Sequence, residues 1–263
     1  MKNIGILGCG NMGSAIARGI AATLPELSLH LYDSDSEKLH SVSGELSAVE
    51  AASIEAVVME SDITIIAIKP QVFSLLYQSV TSMKHTNSAF ISIAAGISLE
   101  SLTLGLDSSQ VVRFMPNIAA SVGKAVTAVC HTAECSQTII DDAFTLAGTI
   151  GTAFPLAEEH FPAFVGISGS AIAFFYQFLH AIALGGTREG IPYAQSLDIA
   201  ADTFAGAIEL MHAKKADPAT LIHAVCSPAG TTIEGLYKLE KGNLQGTAMD
   251  AVHAAAVKAR NIH

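Results

Sequence analysis

An α/β domain built on a parallel sheet, followed by an all-helical domain, is the architecture this sequence predicts. Three observations carry that expectation. Short β-branched runs alternate with helical stretches up to about residue 155, a glycine-rich turn follows the first of those runs, and from about residue 159 long alanine-rich segments replace the strand signal. With 263 residues, 50% of them hydrophobic, the chain can bury enough core for two modest domains, which the change of pattern divides at 1–157 and 158–263.

The strands are expected at Ile4–Leu7, Leu27–Tyr32, Ile63–Ile68, Ala89–Ile93, Val111–Phe114 and Val126–Cys130, which are mostly apolar and β-branched. Strands covered by helices on both faces read this way. Ser34 with Glu37 three residues later has the pattern of a capping box opening the second helix, and Pro70 and Pro116 punctuate strand ends. The later half predicts helices over Ala171–Leu184, Tyr193–His212, Pro218–Val225, Thr231–Leu239 and Gly246–Ala259. In such an arrangement a ligand binds outside the carboxyl ends of the strands.

Charge and cysteine content narrow the function. Lys and Arg number 14 against 24 Asp and Glu, a net charge of −10, and no basic run gathers on one face, which argues against a nucleic-acid partner. Cys9, Cys130, Cys135 and Cys226 are irregularly spaced, so a disulfide scaffold is not expected and a reduced, cytoplasmic setting is. The opening MKNIGILGCG runs straight into a glycine loop and has no signal-peptide pattern, so no export is indicated. Cys130, His131 and Cys135 lack a fourth ligand at the usual spacing, and no metal is expected. Phe161 to Gly186 contains no Asp, Glu, Lys or Arg and is long enough to span a bilayer. Pro162, Gly166, Ser168, Gly169, Ser170, Gln177, His180 and the Gly185-Gly186 pair interrupt it, so it reads as a buried or interface helix, with no membrane partner. The apolar surface of this half predicts self-association, at least as a dimer.

Gly8-Cys9-Gly10-Asn11-Met12-Gly13 is a GxGxxG directly after the first expected strand and at the start of the first helix. Gly8 permits a tight turn, Gly10 lets backbone approach a pyrophosphate, Gly13 lets helix and strand pack closely, and the helix N-terminus offers N–H groups. This is the pattern of a Rossmann-type dinucleotide-binding domain. Asp33, about twenty residues on, stands where an acid receives the ribose 2′-hydroxyl of NAD. Ser34 and Ser36 in the same turn either donate to the 2′-phosphate of NADP or only cap the next helix. Three further strand ends carry unusual segments: Ala67-Ile68-Lys69-Pro70, Ser92-Ile93-Ala94-Ala95-Gly96 and Arg113-Phe114-Met115-Pro116-Asn117. Lys69 is a surface lysine or a ligand contact, small residues at 94–96 leave room for a flat ring, and Arg113 is either half of an ion pair or an anion anchor.

Taken with the late run Cys226-Ser227-Pro228-Ala229-Gly230-Thr231-Thr232-Ile233, these segments cover most of the chain in an order and spacing that resembles the pyrroline-5-carboxylate reductase family. The resemblance implies a Rossmann domain followed by an all-helical C-terminal dimerisation domain, and reduction of a small cyclic imine, 1-pyrroline-5-carboxylate, to proline. It implies an NAD(P)H site formed by Leu7, Gly8, Cys9, Gly10, Asn11, Met12, Gly13, Ser34, Ala67, Lys69, Pro70, Ala94, Ala95 and Gly96, with NADPH the family's more usual cofactor and NADH an alternative. It implies a substrate pocket from the Ser168-Gly169-Ser170 turn and the loop carrying Ser227, Gly230, Thr231 and Thr232, beside an acid at Glu158 or Glu159. Both loops are expected to precede helices, whose N–H groups suit a small carboxylate.

The chain departs from the family pattern at Ala171 and Ile172, where glycine and proline are usual, at Ala229 for glycine, and at Pro162 and Val165 for an acid and a threonine. A protonated imine attracts hydride without a strong protein acid, so Thr232, with Ser170 as the alternative, is expected to hydrogen-bond the ring nitrogen or carboxylate while positioning supplies the acceleration. Two other readings stand beside this one. A related 2-keto or 3-hydroxy acid reductase would need a proton donor, for which Lys69 is the candidate. A non-enzymatic sensor would bind dinucleotide without consuming it.

Overall fold

The computed structural model describes residues 1–83 and 88–261 and divides into two compact units, Met1–Gly169 with the chain from Ala256 onward, and Ser170–Ala255. The first unit is an eight-stranded sheet in the order β3-β2-β1-β4-β5-β6-β7-β8. Its strands are β1 (Asn3–Leu7), β2 (Ser28–Tyr32), β3 (Val49–Glu50), β4 (Ile63–Ile66), β5 (Ala89–Ser92), β6 (Val111–Pro116), β7 (Ala125–His131) and β8 (Gly151–Pro155). Between them run α1 (Asn11–Thr23), α2 (Ser36–Leu46), α3 (Ile54–Glu60), α4 (Phe73–Ser82), α5 (Leu99–Leu106) and α6 (Gln137–Gly148).

Strands β3 through β6 pair in parallel, as do β7 and β8. The sheet is not wholly parallel as predicted, because β7 runs antiparallel to β6. Only residues 117–124 separate these two strands, whereas a parallel return needs about a dozen residues or more. Two strands were not expected from the sequence: β3, two exposed residues at one sheet edge, and β8, bounded by Gly151 and Pro155 at the other. Edge strands need bury little, so their sequences carry little apolar signal.

Alternation along β1 explains how two cores share one sheet. Ile4 and Ile6 face a core with Ile16 and Ile20 of α1 and Leu146 of α6, while Leu7 joins Val57, Phe73, Leu76, Phe90 and Leu102 on the other face. Ile4, Ile6, Leu7, Ile63, Ile65 and Ile66 have no exposed surface, and burying each such side chain contributes roughly 1.5–3 kcal/mol before chain entropy is charged against it. At Gly5 a Cβ would lie 2.4 Å from Val57 of α3, so the absence of a side chain lets that helix seat on the strand.

Beyond β8 the chain is helical: α7 (Phe161–Phe164), α8 (Ala171–Arg188), α9 (Tyr193–Lys214), α10 (Pro218–Val225), α11 (Thr231–Lys241) and α12 (Leu244–Arg260). Residues Val165–Ser170 between α7 and α8 are π-helical, so the expected Ser168–Ser170 turn is instead the interior of a helical run from Glu158 to Arg188. Pro162 lies in the first turn of α7, where its missing N–H is harmless. With Ala171 and Ile172 in place of glycine and proline, nothing after it breaks the ladder. This run is long and apolar enough to cross a membrane by length and composition, and only 11% of its most apolar window is buried within the chain. Of the two predicted roles, a helix buried in its own chain does not describe it. Within the Ser170–Ala255 unit, α8 and α9 cross closely where a Cβ on Gly186 would meet Ser196 Oγ at 2.5 Å, and Phe175 and Phe178 pack on Phe204. Phe174, Tyr176, Ile182 and Leu184 remain exposed.

Gly151 tests the β7–β8 register. Its φ is +149° and a Cβ would lie 2.1 Å from the Ala125 carbonyl oxygen. Gly151→Ala is expected to destabilise the protein by about 1–3 kcal/mol, visible as a lower thermal midpoint; an unchanged midpoint would contradict this register.

Candidate active site

The glycine turn is shaped by what lies beneath it. At the end of β1 the chain passes through Gly8 with φ +103°, and a Cβ there would lie 2.6 Å from the Ala67 carbonyl oxygen beyond β4. At Gly13, in the first turn of α1, a Cβ would meet the Gly8 carbonyl oxygen at 1.9 Å. Gly10 differs, since no protein atom lies within 4 Å of where its Cβ would be. Its lack of a side chain is not required by packing and leaves open space above the loop. Helix α1 begins there with no side-chain cap and no acidic residue in its first turn. The N–H groups of Asn11, Met12 and Gly13 therefore have no intrahelical acceptor and stand at the positive end of the helix, an arrangement that fits a phosphate group.

The Cys9 N–H is not part of that set. It donates to Asp33 Oδ2 at 2.6 Å, while Asp33 Oδ1 accepts the Asp35 N–H at 2.8 Å. Asp33, expected at the ribose, thus fastens the glycine loop to the end of β2, and its carboxylate keeps lone pairs for a hydroxyl. Burial raises the Cys9 thiol to about 11, with the Asp33 charge adding to the effect, so the thiol is neutral at physiological pH.

Leu7, Gly8, Gly10, Asp33, Ser34, Ala67 and Lys69 line one cleft of about 460 Å³. Cys9 and Asn11 line an adjoining hollow that shares Gly10 and Lys38 with it. Met12 packs against the core and Pro70 opens a short 3₁₀ turn leading to α4, and neither lines the cleft or the hollow. The expected Ser34–Glu37 capping box is absent: Asp35 caps α2 by accepting the Lys38 N–H. A β-region residue immediately before the first helical residue takes that role, and Asp35 holds it. Lys38, which the sequence reading overlooked, reaches the cleft and pairs through Nζ with Asp35 Oδ2 at 2.6 Å. Its position three residues after an acidic cap, in the first turn of α2, was the available signal.

Ala95 and Gly96 line a second cavity, of about 610 Å³, together with Arg113, Glu158, Phe161 and Val165, while Ala94 is buried behind them. Arg113 is 5% exposed and ion-pairs with Glu158, and its guanidinium lies 5.0 Å from the centre of the Phe161 ring. Of the two readings for Arg113, the structure shows the ion pair. Asn117 of the RFMPN segment donates to Ser168 Oγ at 3.1 Å and accepts the Ala119 and Val126 N–H groups, contacts that tie the end of β6 to the π-helical segment and to β7.

Ser170, Ser227, Gly230, Thr231 and Thr232 belong to the Ser170–Ala255 unit. Ser170 closes the π-helical segment and α8 starts at Ala171 directly after it, as expected, but the helical backbone is continuous across that junction, so no free helix N-terminus stands there. The 226–230 loop does precede a helix: α11 starts at Thr231 after Gly230, with no side-chain cap. Ala229 adopts φ +57°, the left-handed region where glycine is favoured, which accounts for the family's glycine at that position. At Gly230 a Cβ would lie 2.3 Å from Ser227 Oγ, so the turn is tight, and the Thr231 and Thr232 hydroxyls take no part in capping it. Among the described residues, no group of three His, Cys, Asp or Glu side chains is placed to hold a metal ion.

Comparison with known proteins agrees with this construction. Residues 158–262 match the family described as pyrroline-5-carboxylate reductase dimerisation, and residues 3–96 match that described as NADP oxidoreductase, coenzyme F420-dependent. A pyrroline-5-carboxylate reductase of Aquifex aeolicus is 33% identical over 98% of this chain and 97% of its own. The crystal structure of the Streptococcus pyogenes enzyme superposes with a TM-score of 0.86 at 32% identity, covering 99% of this chain and 98% of that one. The Plasmodium falciparum pyrroline carboxylate reductase, solved with NADP bound, gives a TM-score of 0.79 at 26% identity, covering 98% and 97%. With likeness running from the glycine loop through the last helix, the chain belongs to the pyrroline-5-carboxylate reductase family.

Proposed function

We propose that this protein reduces the C=N bond of 1-pyrroline-5-carboxylate to give proline, with NADPH as the preferred reductant. The observation that carries the reading is full-length similarity to pyrroline-5-carboxylate reductases in a chain whose glycine loop offers an open, unblocked anion cradle at Gly10. A bound reduced nicotinamide supplies the hydride. The chain's own residues bind and orient. The Asn11, Met12 and Gly13 N–H groups hold the pyrophosphate, and Ala94, Ala95 and Gly96 give a flat backbone wall for the nicotinamide. In the cleft lined by Gly8, Gly10 and Asp33, where the Asp33 carboxylate is engaged by the Cys9 and Asp35 N–H groups, the Ser34 hydroxyl and the Lys38 ammonium suit a 2′-phosphate. The Lys38–Asp35 pair is exposed and therefore weak enough to open for it.

For the substrate, the free hydroxyls of Thr231 and Thr232 and the N–H groups at the start of α11 suit a small carboxylate or a ring nitrogen. The imine carries its own proton near neutral pH, so these groups orient the substrate. The keto-acid alternative is disfavoured because the full-length relatives are pyrroline-5-carboxylate reductases. The exposed apolar surface of α8, in a segment matching a dimerisation family, is best accounted for by a second copy of this chain.

The direct test is loss of the near-ultraviolet absorbance of NADPH and, separately, NADH on adding 1-pyrroline-5-carboxylate, with keto acids as controls. Imine-dependent oxidation, faster with NADPH, is expected; activity confined to the keto acids would overturn the reading. Gly10→Ala is expected to leave the cofactor-free thermal midpoint unchanged, since its Cβ enters empty space, yet to weaken NADPH binding about tenfold or more by crowding the pyrophosphate. Unchanged affinity would remove the pyrophosphate from Gly10. Thr232→Ala is expected to lower kcat/KM for the imine by roughly ten- to a hundredfold, as loss of a hydrogen bond to a charged group does; wild-type kinetics would dismiss Thr232 as a substrate contact.

A further inference from the structure

Arg113 and Glu158 make contacts whose pattern the ion pair alone does not explain. Arg113 lies mid-sheet on β6, opposite Ser92 on one side and Cys130 on the other. Nη1 donates to Glu158 Oε1, Nη2 points at the Ala94 carbonyl oxygen at 3.4 Å, and Phe161 covers a face of the guanidinium. Its Nε is buried without a partner. Glu158 Oε1 takes a second donor, the N–H of Leu99, at 2.7 Å. Leu99 is the first residue of α5, and Ala94 ends the segment leaving β5. One ion pair therefore holds both ends of the 94–99 loop, Arg113 at its start and Glu158 at its finish. Ala95, Gly96, Ile97 and Ser98 between these anchors line the second cavity.

We infer that Arg113 and Glu158 are positioning residues: together they clamp the 94–99 loop in the conformation that receives the nicotinamide, and neither touches the substrate. The inference rests on the reading of Ala94–Gly96 as the nicotinamide wall. Arg113 cannot serve as the substrate's carboxylate anchor, because its charge is neutralised by Glu158 and a face is shut by Phe161. The loop needs such a clamp. Gly96 sits at φ +79°, a conformation other residues rarely adopt, its missing side chain leaves that backbone little restrained, and no strand ladder holds residues 95–98. A guanidinium fork fixes geometry as a lysine ammonium does not.

The test uses the full-length protein with Glu158→Gln and Arg113→Lys. The first substitution keeps an acceptor for the Leu99 N–H and an oxygen for the Arg113 guanidinium but removes the charge; because Arg113 is then buried without a counter-charge, the thermal midpoint is expected to fall, and kinetics are compared below it. The chain contains no tryptophan, so the emission of bound NADPH reports the nicotinamide's surroundings without protein background. Both variants are expected to bind NADPH within about threefold of the parent, since the pyrophosphate cradle is untouched. The change in nicotinamide emission on binding should be largely lost, and kcat for the imine should fall about tenfold or more with KM nearly unchanged, as misplacement of a reacting group does. The double variant should be no worse than the poorer single one. Parental emission and kcat in Glu158→Gln would overturn the inference, as would a raised KM at parental kcat, which would mark a substrate contact. If the parent protein fails to reduce the imine, the proposed reaction falls, and the emission measurement still decides whether the clamp positions the loop.

Discussion

A carbonyl oxygen and a missing methyl group fix the geometry on which the rest depends. Helix α1 can begin directly above the end of β1 only because Gly13 brings nothing to the Gly8 carbonyl, where a Cβ would lie at 1.9 Å, and because Gly8 can turn at φ +103° against Ala67. That close approach points the free N–H groups of α1 across the carboxyl edge of the sheet. The Asp33 carboxylate then fastens the loop by taking the Cys9 N–H, so the cradle is set before any ligand arrives. Parallel pairing of β1, β2, β4, β5 and β6 delivers the other candidate segments, Ser34, Ala67–Pro70 and Ala94–Gly96, to that same edge.

The second half of the molecule follows a different rule. Its helices bury little within their own chain: Leu179, Ala183 and Ala200 are the buried apolar residues of α8 and α9 among the described residues, whereas Phe174, Phe175, Tyr176 and Ile182 are exposed. A surface of this kind is stable in water when a second copy covers it. The absence of Asp, Glu, Lys and Arg between Phe161 and Gly186 has the same origin, because a charge there would have to be desolvated on association.

The main architecture was legible in the sequence wherever one local signal sufficed. Buried strands such as Ile63–Ile66 announce themselves by composition, and the glycine loop by its place between strand and helix. The five long C-terminal helices were placed within a few residues of their ends. Features set by tertiary partners were not legible. The direction of β7 depends on the length of its connection, β3 and β8 exist only because a neighbouring strand accepts them, and the π-helical course of Val165–Ser170 gives no periodic signal. At the site, the Gly8–Gly13 turn could be read residue by residue, but the partners of Asp33 and the double duty of Glu158 could not. Their contacts lie 24 and 59 residues away in sequence.

Amide hydrogen exchange across the glycine loop, with and without NADPH, reports whether the α1 N-terminus holds the dinucleotide. The Asn11, Met12 and Gly13 amides lack an intrahelical acceptor, whereas the Cys9 amide is already bonded to Asp33. NADPH should therefore slow exchange at Asn11, Met12 and Gly13 and leave Cys9 nearly as it was. Saturating NADPH with no protection at those three amides would contradict the assignment of the α1 N-terminus as the dinucleotide cradle.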